Sequence, residues 1–146
     1  MSTFSRQVTV NWQGTLMDGS GTAQAGTGAF SLPVTFPRRV GEPEGTTSPE
    51  ELIAAAHGAC YAMVVAANLG RRNASAKSST VVCTVTGEKT DAGLKVLSSK
   101  LHVTAEGLEG ITAAEFEQMA KEAEGKCPIS NALRGNLEIS VEVSVR

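Results

Sequence analysis

The sequence predicts an α+β fold in which antiparallel β-sheets pack on one long central helix. Three observations lead there. Apolar and polar residues alternate at Val8, Val10 and Trp12, and again from Leu137 to Val145, the period of a half-buried strand. Between them, residues 48–69 are alanine-rich and apolar on nearly every side, the pattern of an enclosed helix. The elements also come in runs, as strands, long helix, strands, helices and a last strand, rather than alternating one by one.

Each element has its own signal. Val8, Val10 and Trp12 mark the first strand, and Asp18-Gly19 is a tight turn into a second near residues 22–26. Phe30, Leu32, Val34 and Phe36 alternate again, and Pro33 places that run at a sheet edge. Residues 37–47 read as a polar loop. Ser48 is a good N-cap, Pro49 fits the first helical position and Glu51 completes a capping box. The helix so begun is expected to run to about Leu69 and stop at Gly70. Its many alanines let another helix approach closely. A helix apolar all round must be covered, and a second copy of the chain would cover it.

Val81, Cys83 and Val85 begin the next strand, Asp91-Ala92-Gly93 turns it, and residues 94–105 return antiparallel. Thr112 and Glu115 form a second capping box before the apolar stripe of Phe116, Met119, Ala120 and Ala123, which Gly125 ends. A short helix follows Pro128 and ends at Gly135. In the last strand Leu137, Ile139, Val141, Val143 and Val145 face one way.

The bulk properties exclude several classes. A chain of 146 residues suits one domain, 1–146, with a real core. A net charge of -2 without a basic run, and 4% aromatics, give no footprint for nucleic acid. Residues 52–69 contain His57 and Asn68 and read as a buried helix, not a membrane span. Three cysteines without a signal peptide argue against a structural disulfide framework. The expected compartment is the reducing cytoplasm.

The cysteines carry the chemistry. Cys60 lies mid-helix, where the helix dipole gives no help, so a reactive thiolate there needs a nearby cation. Arg38 and Arg39 in the preceding loop are candidates. Cys127, in Lys126-Cys127-Pro128, reads as the N-cap of a helix whose free N–H groups favour a thiolate. On local chemistry it is the more acidic thiol. Cys83 alternates with valines and reads as core packing. His57 shares a helical face with Cys60, and with Cys127 the pair could ligate a metal, but no fourth ligand is evident. A packed or hydrogen-bonded histidine is the plainer reading. His102 carries no signal.

Residues 48–63, Ser-Pro-Glu-Glu-Leu-Ile-Ala-Ala-Ala-His-Gly-Ala-Cys-Tyr-Ala-Met, resemble the signature helix of the OsmC/Ohr peroxidase family. Lys126-Cys127-Pro128-Ile129-Ser130 resembles its second cysteine motif, and Asn11-Trp12-Gln13-Gly14 with Lys89-Thr90-Asp91-Ala92-Gly93 fits the OsmC-like branch. The resemblance spans essentially the whole chain. It implies an intertwined homodimer with sites at the subunit interface and a thiol peroxidase acting on organic hydroperoxides, less on hydrogen peroxide. Cys60 would be the peroxidatic thiol and Cys127 its disulfide partner. No metal or cofactor is implied; a small dithiol or a dihydrolipoyl protein would be the reductant. The family's glutamate matches Glu50. Its activating arginine matches Arg39, with Arg38 as the alternative because one extra residue separates it from Glu50. Burial raises a thiol pKa, so by this resemblance the arginine must tune Cys60.

Ten residues of straight helix span about 15 Å, so Glu50 cannot touch Cys60 of its own helix. It orients the arginine at longer range or acts from the partner chain. The contrasting expectation is a non-catalytic dimeric protein that binds a small hydrophobic ligand, with the cysteines only packing; peroxide-dependent thiol loss separates the two.

Overall fold

The computed structural model describes residues 1–146 as two compact units, Met1–Pro49 and Glu50–Arg146. In the first, β1 (Val8–Gln13), β2 (Ser20–Ala25) and β3 (Ser31–Val34) form an antiparallel sheet in that order. Pro33 therefore sits on an edge strand, as its missing N–H requires. The Asp18-Gly19 turn closes on Thr15, whose carbonyl accepts from the Gly19 N–H at 2.8 Å. A Cβ at Gly19 would collide with the carbonyls of Gln13 and Thr15.

The expected polar loop after residue 36 begins instead as a helix, α1 (Phe36–Val40). Thr35 caps it, its hydroxyl accepting from the Arg38 N–H at 3.3 Å, and Pro37 lies in the first turn. A threonine cap followed by a first-turn proline is a start signal in its own right. The alternating face of β1 is not covered within the chain, where Val8, Val10 and Trp12 are 50%, 60% and 41% exposed.

In the second unit, α2 (Pro49–Arg71) is followed by β4 (Ser78–Thr90) and β5 (Gly93–Glu106), an antiparallel hairpin. Then come α3 (Ala113–Ala123), a 3-10 turn (Glu124–Lys126), α4 (Pro128–Leu133) and β6 (Glu138–Val145). The sheet order is β4-β5-β6, but β6 runs parallel to β5, so this sheet is mixed where the sequence predicts antiparallel pairing throughout. A parallel return needs a long crossover, and residues 107–137 with α3 and α4 supply it.

The core joins one stripe of α2 (Tyr61, Val65, Leu69) to Leu101, Val103 and Ala105 of β5 and to Phe116, Met119, Ala120 and Ala123 of α3. Tyr61 Oη donates to the Ala120 carbonyl at 2.6 Å, pinning α2 to α3. Thr112 and Glu115 form the expected capping box. The helix α2 passes Gly70 by one residue. Asn73 then takes a positive φ of 53°, and the Ala74 N–H donates to the Leu69 carbonyl at 2.9 Å. The other face of α2 is open in the single chain: Ala55, Ala56, Ala59, Ala66 and Ala67 are exposed and Met63 is 73% exposed.

Candidate active site

The geometry around Cys60 is set by two pieces of backbone in the second unit: the middle of α2 and the junction before α4. Cys127 ends the 3-10 turn and is the N-cap of α4, with Pro128 in the first turn. That junction is braced from outside. Arg134 Nη2 donates to Glu124 Oε1 at 2.8 Å and to Asn131 Oδ1 at 3.1 Å, and Asn131 Nδ2 donates to the Gly125 carbonyl at 3.2 Å. The brace spans both sides of Cys127 in sequence.

The cap geometry departs from expectation in an informative way. The Cys127 sulfur makes no capping hydrogen bond. The backbone N–H of Ile129, the second residue of α4, acts on the Cys60 thiol instead and lowers its pKa. The free N–H of this helix start thus serves the thiol on the neighbouring helix. The Cys127 thiol acts on Cys60 as well. Cys127 is fully buried and Cys60 partly so. Burial pushes the Cys60 thiol above its ordinary 9.0, the Ile129 N–H pulls it down, and the Cys127 thiol pushes it up again.

One helical turn before Cys60, His57 is wholly buried. Its Nδ1 lies 2.6 Å from Ser99 Oγ on β5 and its Nε2 lies 2.6 Å from Ser130 Oγ on α4. Both hydroxyls are themselves buried. Desolvation lowers the His57 pKa from 6.5, opposed by the Glu124 carboxylate. A neutral ring with one donor and one acceptor nitrogen fits two hydroxyl partners. This is the hydrogen-bonded histidine the sequence favours. Cys83 joins the same network, with Sγ 3.3 Å from Ser99 Oγ and 3.9 Å from His57 Nδ1. It packs on the core, where burial raises its pKa and the Ser99 hydroxyl partly offsets that.

The other expected residues lie elsewhere. Glu50 occupies the first turn of α2, beside the bulge in β4: a Cβ at Gly87 would stand 3.9 Å from Glu50 Oε1. Ten helical residues, about 15 Å, separate it from Cys60. Arg39 belongs to α1 of the first unit, as does Arg38, which pairs with Glu44. Sequence reasoning missed Ser99, Ser130 and the Ile129 N–H. Ser130 and Ile129 stand inside the second cysteine motif, which was the available signal; Ser99 is an ordinary serine in an alternating strand.

Residues 41–142 match the family described as OsmC-like protein. The chain is 30% identical over 143 residues to the peroxiredoxin OsmC of Escherichia coli, covering 97% of this chain and 98% of that one. It is 35% identical over 104 residues to the organic hydroperoxide resistance protein OhrA of Bacillus subtilis, covering 69% and 70% of the two chains. Among solved structures it resembles an organic hydroperoxide resistance protein OsmC from Legionella pneumophila. The TM-score is 0.74 at 27% identity, over 94% of this chain and 96% of that one.

Proposed function

The chain belongs to the OsmC-like protein family, and from that premise we propose that it is a thiol-dependent peroxidase of the oxidative stress response that reduces organic hydroperoxides to alcohols. The names of its relatives, a peroxiredoxin and an organic hydroperoxide resistance protein, support a peroxidase-type role. The observation that carries the reading to particular atoms is that the thiol of Cys127, at the N-cap of α4, acts directly on that of Cys60 in the middle of α2.

In this mechanism the Cys60 thiolate attacks the terminal oxygen of ROOH. The O–O bond breaks, Cys60 becomes a sulfenic acid, and the alkoxide leaves with a proton as ROH. The Cys127 sulfur then attacks the Cys60 sulfur, water leaves, and a disulfide forms. A dithiol or a dihydrolipoyl protein returns both cysteines to thiols by exchange, itself becoming a disulfide. The chemistry needs no metal or prosthetic group.

Arg39, with Arg38 as the alternative, supplies the cation that favours the Cys60 thiolate. Glu50 orients the arginine. The apolar surroundings of Cys60 favour bulky organic peroxides over hydrogen peroxide. The working form is a homodimer, in which a second copy covers apolar surface left open in one chain, including Val10, Met63 and Val82, at 60%, 73% and 57% exposed. Such a dithiol cycle belongs in a reducing cytoplasm.

The test is the mass of the intact reduced protein before and after one equivalent of cumene hydroperoxide, followed by peptide mapping. Loss of two hydrogens with a Cys60–Cys127 cross-link is expected. Two free thiols after exposure would overturn the reading and leave the ligand-binding dimer in its place.

A further inference from the structure

Consecutive residues of α4 engage α2 at two points. The Ser130 hydroxyl lies 2.6 Å from Nε2 of His57, three residues before Cys60 on that helix, and the neighbouring Ile129 N–H lowers the Cys60 pKa. The far side of the imidazole is fixed by Ser99 of β5. All three side chains of this Ser99–His57–Ser130 relay are fully buried, and none of their polar atoms lacks a partner. Buried polar groups so matched hold one arrangement, because any displacement strands a donor or an acceptor.

We propose that His57 is a positioning residue for Cys60: by holding Ser130 from a point three residues before Cys60 on α2, its ring keeps the start of α4 where the Ile129 N–H acts on the Cys60 sulfur. The N–H counts most when that sulfur is an anion, since a charge-assisted hydrogen bond is about twice as strong as a neutral one. The inference rests on Cys60 being the reactive thiol. It assigns the imidazole no proton transfer and no contact with substrate. The ionisable groups that act on this region are the Cys127 thiol at Cys60, and the Glu124 carboxylate and Cys83 thiol at His57.

The geometry of the ring supplies its own control. A glutamine amide reaches the position of Nε2, and an asparagine amide only that of Nδ1. His57→Gln therefore keeps the bond to Ser130, His57→Asn loses it, and Ser130→Ala removes the hydroxyl with the least change of volume. The measurement is the rate at which iodoacetamide modifies Cys60, followed by mass spectrometry of its peptide against pH. For His57→Asn and Ser130→Ala the midpoint should rise by about one unit, so that modification at neutral pH slows about tenfold. His57→Gln should keep the unsubstituted profile, and Ser99→Ala should change it least of the serine variants.

Folded Ser130→Ala with an unmoved midpoint would overturn the inference. So would an equal shift in His57→Gln or Ser99→Ala, which would mark general loosening. If His57→Asn does not fold, Ser130→Ala decides alone. The readout uses no peroxide, so failure here and failure of the peroxidase assignment are separate events.

Discussion

Cys60→Ser exchanges a thiol for a hydroxyl that stays protonated in the working pH range, so peroxide consumption with a dithiol reductant is expected to stop. Cys127→Ser should still take up one oxygen at Cys60 but form no internal cross-link; mass spectrometry after one equivalent of peroxide distinguishes the two. Full turnover in Cys60→Ser would refute the assignment. His57 makes a separate prediction about stability. Its folded pKa lies below 6.5 because burial disfavours the charged ring. Above 6.5 both folded and unfolded forms are neutral and nothing changes. Below it the unfolded chain takes up a proton that the folded ring refuses, so stability falls with pH until the lowered folded pKa is reached, by at most about 1.4 kcal/mol per pH unit. Through that window the urea midpoint of the parent should fall with pH more steeply than that of His57→Gln. Cys60 and Cys127 were legible as candidates because each stands in a motif with its own local chemistry. The relay was not, because Ser99 and Ser130 lie 42 and 73 positions from His57 and no periodicity links them.

Among the elements, the start of α3 was legible to the residue, since a capping box is a local arrangement of Thr112 and Glu115. Thr112→Ala should cost about 1 kcal/mol and lower the melting temperature by about 3 °C. Tyr61→Phe leaves the Ala120 carbonyl without its 2.6 Å donor and should cost about 1–2 kcal/mol by chemical denaturation. Little change there would mean that water replaces the hydroxyl. The direction of β6 was not legible. An alternating strand reads the same either way up, and only its pairing with β5, Ser99 beside Ile139 and Val103 beside Val143, reveals a parallel return. The helix α1 was hidden for a different reason: only five residues long, it is set by its cap and not by an apolar period.

At the scale of the molecule, the open face of α2 predicts a change in association. Met63→Lys places a charge on that face and should shift the sedimenting species from dimer to monomer, while Lys100→Ala, whose pair with Glu142 is half exposed on both sides, should leave it unchanged. A dimer unmoved by Met63→Lys would place the contact elsewhere. The parallel return of β6 has one more consequence. Residues 107–137 leave β5 and rejoin its neighbour, so the segment that carries Cys127 is tethered at both ends to one sheet. The second thiol is then an intramolecular partner with a high effective concentration, and even short flexible tethers reach the millimolar range. A sulfenic acid on Cys60 would meet Cys127 before it met a dilute thiol from solution, and the topology of the sheet would favour the internal disulfide over mixed ones.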